Sequence, residues 1–330
     1  MTKDHVLALL KESGACYCSG AKMSQALGLS RAAVWKAVES LRQEGYGIES
    51  VPNRGYRLTG SPDRLSAGEL AGALRGCSIG GELICLESVD STNNYAKKLA
   101  DEGAPHGTVV IAEQQTGGRG RQGKSFSSPA GKGLYLSLLL RPALPAAQVI
   151  NLTSWIAVAV CSAVEAVAGI RPGIKWTNDI ILSGKKLCGI LTELGLEAES
   201  GALQYVVAGA GINISQTEAD FGPELSPCAV SLEQVLGRRI RRAELAAALI
   251  QSLDRMVQDF PARKAEYLAR YRADCLTVGR EVRLIQKGQT RTAFAEAIDD
   301  EFALVVRHPD GTRETVTAGD VSVRGLLGYV

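Results

Sequence analysis

The spacing of apolar and polar positions divides the chain into three stretches of different period. In residues 1–60 the period is helical: "DHVLALLKES" repeats its apolar residues every three to four positions, and "KMSQALGLSRAAVWKAVESLRQEG" carries two more helices broken at Gly28-Leu29. Ser30 stands where an N-cap serine belongs, and Gly45 stands where the third helix stops. Val34, Val38 and Leu41 fall at core spacing, and Trp35 is expected to pack with them. "IESVPNRGYRL" then gives two short extended runs around a Pro52-Asn53-Arg54-Gly55 turn.

Residues 61–275 alternate strands and helices, entered through the linker "SPDRLSAG". "TVVIAE", "GLYLSLLL", "IKWTNDIIL", "KKLCGILTEL" and "QYVVAGAGINIS" each read as one strand, and helices return at about 241–273. Few long helices separate consecutive strands, so a mixed sheet is expected rather than a doubly wound parallel one. The apolar run 149–170, "VINLTSWIAVAVCSAVEAVAGI", is long enough to cross a bilayer. Asn151, Thr153, Ser154, Ser162 and Glu165 interrupt it and basic flanks are lacking, so it reads as a buried core helix. Residues 276–330 are all-β in pattern and suit a small barrel.

Composition narrows the function classes. The 330 residues carry a net charge of +2, so any nucleic-acid surface must be local. Residues 1–60 hold eight Lys and Arg against five Asp and Glu, which is where such a surface is expected. An aromatic content of 5% argues against a stacking platform for single strands. The start, "MTKDHVLALLKESG", does not read as a secretory signal. The eight cysteines are scattered apart from Cys16-x-Cys18, with no CxxC pair, so free thiols in a reducing cytoplasm are expected and a zinc site is not.

The stretch 116–137, "TGGRGRQGKSFSSPAGKGLYLS", satisfies both the P-loop and the dinucleotide expressions. Both motifs need a helix after the glycines, because its N-terminal amides hold the phosphates. Pro129, Gly131 and Gly133 interrupt that position and a strand follows. What remains is a glycine-rich loop with Arg119, Arg121 and Lys124, whose planar guanidinium forks suit a carboxylate or a phosphate. With four glycines it is expected to be mobile without ligand.

That loop, followed by "SPAGKGLYLSLLLRP", resembles the signature of biotin–protein ligases. "ESVDSTNNYA" (87–96), "VVIAEQQTGGRGRQG" (109–123), "KWTNDI" (175–180), "KKLCGILTEL" (185–194) and "GAGINI" (209–214) follow in matching order. "LGLSRAAVWKAVESLRQEG" and "VPNRGYRL" resemble the winged helix-turn-helix of the family members that are both ligase and biotin-operon repressor. In the C-terminal stretch the recognisable piece is "AGDVSVRG".

The resemblance implies an α+β, multidomain chain. A winged helix-turn-helix would occupy 1–60, a mixed-sheet catalytic domain like class II synthetases and lipoate ligases 61–275, and a small SH3-like β-barrel 276–330. It implies that ATP and Mg²⁺ convert biotin to biotinyl-AMP, and that a lysine of a biotin carrier domain of a carboxylase, of the acetyl-CoA carboxylase type, then takes the biotinyl group. Arg119, Arg121, Asp179 and Lys186 would be catalytic. Ser91, Thr92, Asn93, Gln115, Arg119, Gly120, Arg121, Lys186, Gly189 and Leu191 would line the biotin pocket. Gly118, Arg121, Phe126, Lys175, Asp179 and Asn213 would serve ATP, with Asp179 at Mg²⁺ and Gly209 and Gly211 allowing close approach.

Plainer readings stay open for several of these. Ser91 and Asn93 suit helix caps, Lys186 an ordinary hairpin beside Gly184, and Asp179 a turn. The chain departs from the family in Phe126, where Trp is frequent, and in Thr177, where Pro is usual. Cys188 reads as a small wall residue, since this chemistry needs no thiol nucleophile.

Helix-turn-helix recognition sets the second helix in the major groove. Ser30, Arg31 and Lys36 on that helix, and Asn53, Arg54 and Arg57 in the wing, are the expected contacts with operator DNA. A ligand-promoted homodimer in the cytoplasm is implied, with no membrane role. Two alternatives remain at this point: a repressor whose central domain only senses a ligand, and a lipoate–protein ligase on a related fold.

Overall fold

The computed structural model describes residues 2–286, 289–317 and 322–325; residues 318–321 of "AGDVSVRG" lie outside these. The chain opens with α1 (Thr2–Glu12), α2 (Gly20–Leu27) and α3 (Arg31–Gln43), then the antiparallel hairpin β1 (Gly47–Val51) and β2 (Gly55–Gly60). The Ser19 and Ser30 hydroxyls accept from the backbone N–H groups of Lys22 and Ala33, satisfying donors that a helix start leaves unpaired. Val34, Ala37, Val38 and Leu41 pack on Val6, Leu7, Leu10 and Met23 in a small core of their own.

Trp35 does not join that core, contrary to the expectation from sequence; it is 54% exposed. One step along a helix turns a side chain by about 100°. That carries residue 35 off the Val34–Val38–Leu41 stripe and onto the face of Arg31 and Glu39.

The central part runs α4 (Ala67–Leu70), β3 (Leu83–Leu86), α5 (Thr92–Asp101), β4 (Val109–Ala112), β5 (Gly133–Leu140), α6 (Leu152–Ala168), β6 (Gly173–Lys175), β7 (Asp179–Leu182), β8 (Lys185–Leu196) and β9 (Leu203–Asn213). Four helices follow: α7 (Glu218–Leu225), α8 (Leu232–Leu236), α9 (Arg242–Asp259) and α10 (Lys264–Asp274). The strands form one seven-stranded sheet in the order β3-β4-β5-β9-β8-β7-β6. Only β3 and β4 pair in parallel, so the sheet is mixed as expected. "IKWTNDIIL" is two strands rather than one: β6 and β7 form a hairpin around Trp176–Asn178.

Strand alternation sorts side chains to the two faces of this sheet. Leu134, Leu136, Leu138, Val206, Ala208, Ala210 and Ile212 enter the large core with α6 and α9. On the opposite face, Leu139, Tyr205 and Val207 pack with Ala96 and Ala100 of α5. The apolar run 149–170 supplies α6, a core helix whose Trp155 stacks on Tyr267 with ring centroids 4.1 Å apart.

β10 (Glu281–Gln286), β11 (Gln289–Ile298), β12 (Leu304–Arg307), β13 (Arg313–Val316) and β14 (Ser322–Gly325) form an antiparallel sheet in the order β13-β12-β11-β10-β14. "RETVTAGDVSVR" thus becomes two strands at opposite edges. This sheet is joined to the large core through Phe302, whose carbonyl accepts from Trp176 Nε1 at 2.9 Å. At the other end, α1 packs on α4: Lys11 pairs with buried Glu69, and the Gly68 N–H donates to Asp4 Oδ1 at 3.3 Å. Arg242, 2% exposed, bridges Asp63 of the linker (3.1 Å) and Glu113 after β4 (2.5 Å).

Candidate active site

The cavity opens on the α5 face of the sheet and holds about 290 Å³. Gly209, Gly211 and Asn213 of β9 alternate there with the core-facing Ala210 and Ile212, and Gly189, Leu191 and Glu193 of β8 alternate with Ile190. The glycines among these positions open a trough beside α5. A Cβ at Gly211 would lie 2.6 Å from the Phe126 ring, and one at Gly209 would overlap the Asn93 amide. The glycines therefore admit side chains of the protein itself.

Lys186 reaches this face through an irregularity in the ladder. The register passes from Ile180↔Cys188 to Ile181↔Lys186, so β8 carries one extra residue, Leu187. Without it Lys186 would follow Cys188 and Ile190 into the core, because a one-residue shift exchanges the faces. Asp179 lies across the strand pair from Gly189, and its carboxylate meets Lys186 Nζ at 2.6 Å.

The far end of the trough is a closed polar network. Gln115 Oε1 accepts from the Thr92 N–H (2.9 Å) and the Thr92 hydroxyl (3.1 Å), and Gln115 Nε2 donates to Ser128 Oγ (2.8 Å). Asn93 donates to the Leu191 carbonyl (3.1 Å) and to Glu193 Oε2 (2.9 Å). Asn93 is thus no cap. Ser91 stands at the N-cap of α5 but makes no cap hydrogen bond; it is buried against the cavity.

The loop that the sequence singles out covers the trough. It is a small hairpin rather than an open coil: the Gly120 N–H donates to the Lys124 carbonyl (2.7 Å) and the Phe126 N–H to the Gly118 carbonyl (2.9 Å). Phe126 anchors it edge-on to Tyr135, at 6.5 Å between centroids. No helix follows the glycines, which removes the P-loop and dinucleotide readings. Arg119 donates to Asn94 Oδ1 (2.7 Å) and lies 3.5 Å from Glu193. Arg121 donates to Asn178 Oδ1 (3.1 Å). Burial holds the Arg121 guanidinium below its usual pKa, opposed by Asp179, yet a guanidinium stays charged at neutral pH.

All the expected biotin-pocket residues line this one cavity, as do Phe126, Lys175, Asp179 and Asn213. Gly118 does not; its place beneath Phe126 and Ser128 is structural, since a Cβ there would meet both. Asn213 is held inside the protein, donating to the Val230 carbonyl (3.2 Å) and accepting from Gln216 (3.1 Å). Cys188 sits in the core rather than in the wall, and burial pushes its thiol pKa well up, which excludes a ready thiolate. Sequence reasoning missed Asn178, and missed Phe221, Leu225 and Cys228 of the α7 region, which also line the cavity. Asn178 lies within the quoted "KWTNDI", whereas α7 carries no chemical signature of its own.

On the N-terminal domain, Arg31, Trp35 and Lys36 are exposed along α3, and Asn53 and Arg54 are exposed in the wing. Asn53 takes φ 63° in the turn, a left-handed conformation that Asn tolerates. Ser30 uses its hydroxyl as the helix cap. Arg57 is half-buried and paired with Glu49 at 2.6 Å, and both Arg54 (4.3 Å) and Arg57 (4.8 Å) lie over the Tyr17 ring.

Three family models match in the order of these parts: an HTH domain over residues 2–57, the biotin/lipoate A/B protein ligase family over 85–213, and the biotin protein ligase C-terminal domain over 277–324. The bifunctional ligase/repressor BirA of Bacillus subtilis (strain 168) is 38% identical over 314 residues, covering 95% of this chain and 96% of its own. The protein of that name from Escherichia coli (strain K12) is 32% identical, covering 93% of this chain and 92% of its own. A solved biotin protein ligase from Aquifex aeolicus, in complex with biotin and ATP, superposes with a TM-score of 0.65 at 27% identity, over 74% of this chain and 99% of that one. The sequence, the three-part fold and these relatives agree: the chain belongs to the family of bifunctional biotin ligase/repressors.

Proposed function

We infer that the cavity is an adenylation centre. There the biotin carboxylate attacks the α-phosphorus of ATP, pyrophosphate leaves, and the biotinyl-AMP formed gives its acyl group to a lysine of a biotin carrier domain, releasing AMP. The observation that carries this reading is the joining of Lys186, Asp179 and Arg121 with the Thr92–Gln115 and Asn93 network in one trough along β8. Two anionic reactants must meet there, so fixed cations are needed to offset their repulsion and to stabilise charge developing on the phosphate.

In this reading Ser91, Thr92, Asn93 and Gln115 hold the ureido ring, with Gly189 and Leu191 as wall. Arg119, Gly120 and Arg121 close over the carboxylate and the phosphates, and Lys186 stands at the reacting oxygens. Phe126 and Lys175 serve the nucleotide. Asp179 is the carboxylate that would hold the Mg²⁺ brought with ATP, and the ion would supply charge to offset that of the phosphates.

The same chain represses biotin genes, through α3 and the β1–β2 wing on operator DNA, as a homodimer that the adenylate favours. Both roles belong in the cytoplasm. The domain limits in this reading are 1–60, 61–275 and 276–330; the separate core of the N-terminal helices and the linker after them support the first limit.

The test is labelling. With biotin, ATP and Mg²⁺ the chain is expected to attach biotin to the lysine of a carrier domain, and in a gel shift to bind operator DNA more tightly than without biotin. No labelling of the carrier under conditions where the chain binds biotin would reduce the reading to a ligand-sensing repressor.

A further inference from the structure

The side chains that face biotin in this reading are held partly by residues outside the cavity lining, Glu193 and Ser137. Asn93 is 4% exposed, and its Nδ2 lies 3.1 Å from the Leu191 carbonyl and 2.9 Å from Glu193 Oε2. A carbonyl and an ionised carboxylate only accept hydrogen bonds, so both amide hydrogens point at them. On the other side Asn93 Oδ1 is 2.6 Å from Ser137 Oγ, a fully buried hydroxyl that also lies 2.8 Å from Thr92 Oγ1. Gly209 packs directly against this amide, with no room for a Cβ.

We propose that Glu193 and Ser137 are positioning residues for biotin recognition: together they lock the Asn93 amide so that it offers the ureido ring a hydrogen-bond acceptor and no donor. The proposal rests on the reading of the cavity as the biotin site. Gln115 is held in the complementary sense. Its Oε1 already accepts two hydrogen bonds from Thr92, and one N–H of Nε2 goes to Ser128, which leaves a donor. A cyclic urea presents N–H donors and a carbonyl acceptor, and so matches a pair fixed in this way. The other oxygen of Glu193, Oε1, pairs with Lys97 at 2.8 Å, and Arg119 of the covering loop approaches it at 3.5 Å. An amide at position 193 is able to turn its own NH₂ toward Asn93, which releases the lock.

The experiment compares the full-length wild type with Glu193→Gln, Ser137→Ala and Lys97→Met. KM and kcat of adenylation are measured with biotin and with cyclic carbamate analogues in which one ring N–H is replaced by oxygen. The wild type is expected to reject the analogue by on the order of a hundredfold in KM, because an acceptor then faces an acceptor. In Glu193→Gln and Ser137→Ala the ratio of the two KM values is expected to fall about tenfold, with kcat for biotin within about twofold. Lys97→Met, which removes the ion pair and leaves the Asn93 bond, is expected to keep the wild-type ratio.

Melting curves establish that each variant is folded; should Glu193→Gln not fold, Ser137→Ala alone decides. An unchanged ratio in the folded variants overturns the proposal, and so does an equal fall in Lys97→Met, which would assign the effect to the ion pair. A wild type that forms no adenylate from biotin overturns the reading of the site itself.

Discussion

On the sheet side of the cavity, polar side chains are bound to one another: Asn93 to Leu191, Glu193 and Ser137, and Gln115 to Thr92 and Ser128. On the loop side, Arg119, Gln122, Lys124 and Ser125 are exposed, and the hairpin touches the rest of the site through Phe126, Arg119 and Arg121. One wall has fixed geometry, suited to reading a small rigid ring. The other carries charge on a short, thinly anchored segment, suited to closing over anions and excluding water once they are present. Recognition thus falls to the Asn93–Gln115 end of the trough and chemistry to its cations, Arg119 and Arg121 of the loop with Lys186 of β8, and substitutions in each group are expected to separate KM for biotin from kcat.

The largest effect is expected from the cations. Lys186→Ala should lower kcat for adenylation by roughly 10²–10³, in line with the loss of one donor at a developing charge. KM for biotin should move much less. A fall in biotin affinity of the same size would mean that the cations also carry biotin recognition. Stopped-flow binding beside turnover measures both.

Gly209→Ala probes the rigid wall. The added Cβ overlaps Asn93, so KM for biotin should rise tenfold or more, the loss of about one buried hydrogen bond to a charged partner's network. KM for ATP and kcat should change little. An equal rise in KM for ATP would mean that the two ends of the trough are not separate.

Phe126→Ala removes the loop's anchor over Gly211 and Tyr135. Stability should fall by roughly 2 kcal/mol, the lost ring pair adding to the lost burial of a half-buried ring, and KM for ATP should rise severalfold. Amide exchange across 116–128 should quicken in the variant and slow in wild type when biotin and ATP are added. No difference on ligand addition would show a loop already closed.

The smallest effect concerns pH. Burial alone would raise the Glu193 carboxyl, but hydrogen bonds from Lys97 and Asn93 outweigh it and hold the pKa below the ordinary glutamate value. A carboxylate whose folded pKa is depressed contributes stability that is fully present above the unfolded pKa and is lost as pH falls through the folded one. KM for biotin should therefore stay flat from about pH 8 to pH 5 and rise only below about pH 4. A rise beginning near pH 6 would point to a different titrating group.

Much of this was legible in the sequence because it rests on local rules. The N-cap at Ser30, the helix stop at Gly45, the strand "GLYLSLLL" and the core helix at 149–170 follow from periodicity and capping. The loop's lack of a following helix excluded two phosphate motifs from Pro129, Gly131 and Gly133 alone. The site residues came from motif order, and the structure collects all but Gly118 around one cavity. What stayed hidden is set by tertiary structure. The extra residue that turns Lys186 to the cavity appears only in the pairing of β7 with β8. Trp35 is a different case: the helix phase of Val34, Val38 and Leu41 already turns it off their stripe, so its exposure was legible locally. Glu193 and Ser137 fall within quoted motifs, but nothing in the chain marks their role, since their partners lie far away in sequence.

The central claim is adenylation of biotin in this cavity, and pyrophosphate exchange into ATP tests it most directly, run with biotin, with lipoate and with no acid. Exchange is expected to require biotin and to be lost in Lys186→Ala. Exchange that proceeds with lipoate instead, or no exchange while biotin is bound, would contradict it.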